Sequence, residues 1–320
     1  MKVVFLGTSE FAAGILERVS DSGTFRPVLV LTRPDRKRGR GRRPAPPPVA
    51  DRARKLGLAL AQPESVNSPE ARALIASAAP QALVVCAFGA LIREPLLSEH
   101  VLLNVHPSLL PRWRGAAPIE RAIMAGDART GVSIMRLTAG LDSGPVCLAE
   151  AESIGREDTY GSLAPRLRAL AAALLLRVLE QSERGQPLPF REQDEQGATY
   201  AEKISAEDRL LDPRRSADEL ERVVRALDPH IGARVALADG TLLGVHRAAV
   251  AAPGLRAGGS GDGVAAPPAD GIELGVSARD GRLLLDCQTG TLELLVVQPA
   301  GGRAMDAGAY LRGHELPGRR

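Results

Sequence analysis

A chain of 320 residues with 44% apolar side chains is long enough for two domains and supplies core material for each, so a soluble globular enzyme is the default reading. The formal charge of +3 is only mildly basic, which excludes a globally cationic nucleic-acid binder and leaves any such contact to local clusters. Cys86, Cys147 and Cys287 lie far apart without a Cys-x-x-Cys spacing, which argues against a zinc site and a disulfide scaffold and fits a reducing cytoplasm.

The first segment, "MKVVFLGTSEF", opens with an apolar run that Glu10 ends, too short for a signal peptide or a membrane span, so a cytosolic protein is expected. Lys2 to Gly7 reads as a strand, and Phe11 to Val19 as an amphipathic helix with Ser9 at its N-cap. "RPVLVLTR" from Arg26 is a second strand. Further apolar runs occur at "QALVVCA" from Gln81, "VLLNVH" from Val101 and "GVSIMRL" from Gly131, separated by helical patterns such as "SPEARALIASAA" from Ser68. Strands alternating with helices, each strand unbroken in apolar character, predict an α/β fold with a doubly wound, mostly parallel sheet covered on both faces. A long apolar helix from Ser162 to Gln181 closes it.

The predicted boundaries put a catalytic domain at 1–187, a linker at 188–206 on the strength of its polar, Gly- and Pro-containing composition, and a second domain at 207–320. In that second domain "SADELERVVRAL" is a helix capped by Ser216. "ARVAL", "TLLGVHRAAV", "GIELGVS", "RLLLDC" and "TLELLVVQ" are short strands, which predict a small antiparallel β-barrel. "APGLRAGGSGDGVAAPPADG" is a low-complexity loop to which no chemistry is assigned.

In an open parallel sheet, ligands bind beyond the carboxyl ends of the strands. In "LLNVHPSLLPRWRG" the period of two puts Asn104 and His106 on one face at such an end, with Val105 on the other. An isolated Asn-x-His pair reads as satisfied rim residues, and an Asp in "GLDSG" as a turn former. Together they read differently. Asp142, expected at the same end of the sheet, would favour a charged His106 and fix its ring, as a proton-handling site requires. With no nucleophilic Ser or Cys beside them, the three point to addition to a carbonyl and stabilisation of an oxyanion. Gly7 in "LGTSEF" lacks the Gly-x-Gly-x-x-Gly spacing of a dinucleotide site and is expected to serve a tight turn and close packing.

"RPDRKRGRGRRPAPPPV" sets seven basic residues, Arg33, Arg36, Lys37, Arg38, Arg40, Arg42 and Arg43, against Asp35. With almost no apolar surface to bury, the loop is expected not to fold on its own. A solvated charge run is the plain reading. Its place after the second strand, at the active-site edge of the sheet, turns it toward phosphate backbones, with Arg36, Lys37, Arg38, Arg40, Arg42 and Arg43 as the expected nucleic-acid contacts.

On these residues, and on "FLGTSEFAA", "NVHPSLLPRWRGAAPIERAIMAGD", "GVSIMRLTAGLDSGPV", "TYAEKIS", "ERVVRALDP" and "VQPAGGRAM", the sequence resembles the methionyl-tRNA formyltransferase family along nearly its whole length. The block Asn-x-His-Pro-Ser-Leu-Leu-Pro followed by Asp-x-Gly is specific for enzymes that transfer the formyl group of 10-formyltetrahydrofolate. The resemblance implies a Rossmann-like catalytic domain, an OB-like barrel that helps hold initiator tRNA, and a catalytic trio of Asn104, His106 and Asp142. It further implies that Ser108, Leu109, Leu110 and Pro111 line the folate site, and that Phe88, Gly89, Leu91 and Ile92 of "AFGALI" wall the pteridine. 10-Formyltetrahydrofolate is then the cosubstrate, methionyl initiator tRNA the partner, no metal is needed, and a cytoplasmic monomer is expected.

Glycinamide ribonucleotide and amino-sugar formyltransferases share the central block, whereas "RWRGAAPI" and the late "QPAG" point to the tRNA branch. One departure stands out: from Glu207 onward, 14 arginines and no lysines face 16 acidic residues, so this domain's share in holding tRNA must rest on a local patch. Two rival readings remain at this point. One keeps the chemistry but gives the formyl group to a small amine or to water; the other makes the protein an RNA-binding module whose sheet is only a scaffold.

Overall fold

The computed structural model describes residues 1–38, 43–252 and 274–316. In chain order it begins β1 (Val3–Gly7), α1 (Glu10–Asp21), β2 (Leu29–Leu31), β3 (Arg36–Arg38), β4 (Arg43–Ala45), α2 (Pro48–Lys55), β5 (Leu60–Ala61), α3 (Pro69–Ala78) and β6 (Ala82–Cys86). There follow α4 (Leu96–Glu99), β7 (Leu102–His106), β8 (Arg114–Gly115), α5 (Pro118–Ala125), β9 (Arg129–Arg136), β10 (Val146–Ser153), α6 (Tyr160–Glu183) and β11 (Tyr200–Ala201). The chain forms two compact units, one from Met1–Pro118, Arg129–Ser153 and Ala164–Glu202, the other from Ile119–Ala128, Ile154–Leu163 and Lys203–Arg320.

The first unit is built on a seven-stranded sheet in the order β10-β9-β7-β6-β1-β2-β5. Every residue of β1, β6 and β7 is buried, as unbroken apolar strands require when helices cover both faces. Phe5, Leu6, Leu83, Leu102 and Leu103 are fully enclosed, and burying each such side chain contributes about 1.5–3 kcal/mol. Ser9 caps α1 as its sequence predicts, its hydroxyl accepting from the amide of Ala12. Gly7 is there for space: a Cβ at that position would lie 2.7 Å from Phe5 and 2.9 Å from Ala12. The close packing of β1 on α1 therefore depends on it.

The parallel arrangement covers β1, β2, β5, β6 and β7 and stops at β9, which runs antiparallel to β7 with Asn104 opposite Met135 and His106 opposite Ser133. β10 then returns antiparallel along β9. The end of β9 therefore lies beside the start of β7, not at its carboxyl end, and the expectation that strand direction delivers Asp142 to His106 is corrected. The loop at 137–145 instead folds back along β7.

Two more stretches differ from their compositional reading. The flanks of the basic loop pair as an antiparallel ribbon, β3 with β4, through backbone hydrogen bonds that need no apolar core. Residues 188–206, linker-like in composition, contain β11, which pairs with β8 in parallel, and a bridge from Arg191 to Val146.

The second unit adds α7 (Ala217–Leu227), β12 (Ala233–Ala236), β13 (Leu242–Val250), β14 (Gly275–Arg279), β15 (Arg282–Asp286), β16 (Thr291–Gln298), β17 (Met305–Asp306) and α8 (Ala307–Gly313). Its antiparallel sheet, β12-β13-β16-β15-β14 with β17 alongside β16, is a half-barrel. α7 starts with a capping box between Ser216 and Glu219 and lays Leu220, Val223, Val224 and Leu227 into a core with Val235, Val245, Leu285 and Leu292.

Candidate active site

β7 runs apolar until its last three residues, where the alternation turns Asn104 and His106 to one face. Both are nearly enclosed, 7% and 4% exposed. Buried polar groups need partners, and both have them. The Asn104 amide donates to Asp142 Oδ1 at 3.2 Å, and His106 Nδ1 lies 3.5 Å from Asp142 Oδ2. The other ring nitrogen, Nε2, is 2.8 Å from the carbonyl oxygen of Trp113. A carbonyl can only accept, so Nε2 carries a proton. The remaining ring nitrogen, Nδ1, faces the Asp142 carboxylate. The sequence-predicted trio is thus one cluster.

The turn after β7 is held by Ser108, whose hydroxyl donates to the Arg112 carbonyl at 2.6 Å, and by Ser133, which donates to the Ser108 carbonyl and accepts from the Leu110 amide. Ser108 is fully buried, so it shapes the turn, while Leu109, Leu110 and Pro111 are half-buried at its rim. The turn then delivers β8, and the backbone amide of Gly115 donates to Asp142 Oδ2 at 2.8 Å. Asp142 itself sits at φ 45°, in the left-handed region that Asp enters more readily than most side chains but still at a cost relative to glycine.

The surroundings of Asp142 include residues that sequence reasoning missed. Gln193 donates from its amide nitrogen to the carbonyls of Asp142 (2.8 Å) and Gly144 (2.7 Å), and its oxygen accepts from Arg114 Nε at 3.0 Å. Arg114, 2% exposed, pairs through its other edge with both oxygens of Glu195 at 3.0 and 2.7 Å. The pairing raises the affinity of Arg114 for its proton and holds the Glu195 carboxyl below its ordinary range. Thr199 ties the same stretch, accepting from the Trp113 amide through its hydroxyl and from the Arg114 amide through its carbonyl, both at 2.9 Å. Arg114 of "RWRG", eight residues beyond the end of β7, with a Gln-x-Glu in the supposed linker, was the available signal.

The loop after β6 is fixed from three sides: the Thr8 hydroxyl donates to the Phe88 carbonyl, Arg33 to the Gly89 carbonyl and Asn67 to the Leu91 carbonyl, at 2.7, 2.7 and 2.8 Å. Phe88 and Ile92 are buried in the core with Leu6 and Leu83, whereas Leu91 is 61% exposed. Of the four residues expected to wall a ligand, two anchor the loop, and Gly89 and Leu91 form its outer part. Burial pushes the Cys86 thiol up and that of Cys147 up to about 11, so neither is a thiolate nucleophile at neutral pH. Among the described residues, no three His, Cys, Asp or Glu side chains gather to hold a metal ion.

Of the expected nucleic-acid contacts, Arg36 stands exposed on β3, and Lys37, Arg38 and Arg43 belong to the backbone of the β3–β4 ribbon. Arg40 and Arg42 lie outside the described residues, as do nearly all positions of the Gly/Ala/Pro-rich loop.

Residues 1–179 match the family model described as formyl transferase, and residues 203–315 match that of the formyl transferase C-terminal domain. The methionyl-tRNA formyltransferase of Halorhodospira halophila is 42% identical, with 98% of this chain aligned to 97% of that protein. That of Dinoroseobacter shibae is 41% identical over 100% and 99%. Among solved structures, the N-formyltransferase of Helicobacter canadensis, in complex with folinic acid and dTDP-3-aminofucose, superposes with a TM-score of 0.61 at 13% identity, covering 92% of this chain and 98% of that one. HypX of Aquifex aeolicus with tetrahydrofolic acid gives 0.60 at 16% identity over 97% and 47%, a likeness of fold.

Proposed function

The chain belongs to the formyl transferase family, and from that premise we propose that it carries the formyl group of 10-formyltetrahydrofolate to the free amine of methionyl initiator tRNA. One observation carries the chemistry: the Asp142 carboxylate within reach of both Asn104 and His106 at the end of a buried strand. The acceptor is supported by methionyl-tRNA formyltransferases that match over essentially the whole chain, second unit included. The protein works in the cytoplasm as a monomer.

The methionyl amine attacks the formyl carbon, and the carbonyl oxygen becomes an oxyanion. Asn104 has a second amide hydrogen beyond the one given to Asp142, and it donates to that oxygen. The Nδ1 proton of charged His106 is the other donor, because Nε2 is committed to the Trp113 carbonyl. Donors placed in advance of the charge they meet contribute about 3 kcal/mol each. Asp142 balances the imidazolium and takes the amine's proton through water. Collapse of the tetrahedral intermediate breaks the bond to N10, which receives that proton back from Asp142 through the same water and leaves as tetrahydrofolate. The folate is held by the 107–111 turn and by Gly89 and Leu91, with Ser108, Phe88 and Ile92 acting through the shape they give those loops.

The test supplies 10-formyltetrahydrofolate together with methionyl initiator tRNA, a nucleotide-linked amino sugar or glycinamide ribonucleotide. N-formylmethionyl-tRNA is the expected product. Comparable kcat/KM on either small amine, or no transfer to any acceptor, would overturn the reading.

A further inference from the structure

We infer that Gln193, braced by Arg114 and Glu195, is a positioning residue that locks Asp142 against His106; the role rests on the reading of Asp142 as the catalytic carboxylate. The hydrogen bonds form a closed ring. From the Asp142 carbonyl it runs through the Gln193 amide to Arg114 Nε, along one residue of backbone to the Gly115 amide, and back to the Asp142 carboxylate. The same short segment carries the Trp113 carbonyl that orients His106. Arg114 is thus the residue between the two backbone groups that hold the acid and the base, and its side chain reaches the clamp on the acid.

Polarity fixes the arrangement. Arginine Nε can only donate, so Gln193 must present its oxygen to Arg114 and its two amide hydrogens to the carbonyls of Asp142 and Gly144. Asp142 needs such a clamp. Its backbone is left-handed and its neighbour Leu141 is 62% exposed, so on that side the loop is held by hydrogen bonds and not by apolar packing.

Single-turnover rates with 10-formyltetrahydrofolate and methionyl initiator tRNA across pH provide the test, on wild type, Gln193→Ala, Gln193→Glu, Asp142→Asn and the Gln193→Ala/Asp142→Asn double variant. Gln193→Glu keeps the size and the bond to Arg114 but sets a carboxylate against two carbonyls. Both Gln193 variants should therefore lose about tenfold or more in rate with KM unchanged, since small displacements of a reacting group are costly. Their pH profiles should move as that of Asp142→Asn does, and the double variant should be no slower than Asp142→Asn alone, because the clamp has nothing left to position. Wild-type behaviour of Gln193→Glu, an additive double variant, or a rate loss that follows a lowered Tm without a pH shift would each overturn the inference. Full activity in Asp142→Asn would instead overturn the site reading on which it stands.

Discussion

In the proposed mechanism Asn104 and His106 each place one hydrogen on the oxyanion, the others being given to Asp142 and to the Trp113 carbonyl. Replacing either by Ala removes one placed donor, so turnover should fall by about two or more orders of magnitude with the KM for folate little changed, as steady-state kinetics would show. Asp142→Asn keeps the shape and removes the charge facing His106 Nδ1, 3.5 Å away. Its turnover should fall and its pH dependence should move; a slower enzyme with an unmoved profile would make Asp142 purely positional. These three residues could be read from sequence because period-two alternation and a glycine-flanked Asp are local signals. Gln193 could not, since its partners Asp142 and Arg114 are 51 and 79 residues away and no periodicity links them.

At the scale of elements, strands and caps were legible and strand direction was not. Ser9 and Ser216 cap the helices their sequences mark, because capping is decided within four residues. The reversal at β9 is a matter of which neighbour a strand pairs with, and an apolar run such as "GVSIMRL" has the same composition either way. The stretch at 188–206 reads as linker because its polar side chains look solvated, yet Gln193 spends its own on the loop after β9 and on Arg114, and Thr199 on the Trp113 amide. In the second unit, Arg121 on α5 donates to both oxygens of Asp208 at 2.7 and 2.8 Å and holds its carboxyl at about 2, below the ordinary 3.8. A depressed folded-state value means the stabilisation is complete above the unfolded value and is lost as pH falls from about 4 toward 2. Asp208→Asn should therefore lower stability near pH 7 by up to about 2 kcal/mol and flatten the acid limb of a denaturation curve. Equal acid limbs would show that the pair contributes nothing.

For the whole molecule, the net charge of +3 conceals an uneven distribution, six basic residues between positions 36 and 43 against a slightly acidic stretch from Glu207 onward. Exchanging Arg36, Lys37, Arg38, Arg40, Arg42 and Arg43 for Ala should raise the KM for methionyl-tRNA and leave that for folate unchanged. The salt dependence should flatten by roughly 0.7–0.9 in log–log slope for each phosphate that is no longer neutralised. Trypsin should cut this stretch in the free protein and spare it with tRNA bound; unchanged KM and slope would return it to a solvated charge run. The ring around Asp142 also imposes an order in time on the chain's own synthesis. Gln193 leaves the ribosome 51 residues after Asp142, roughly 3–10 seconds later at ordinary elongation rates. A nascent chain halted after α6 already holds Asn104, His106 and Asp142, but the hydrogen-bonded ring around Asp142 cannot close until Gln193 has emerged.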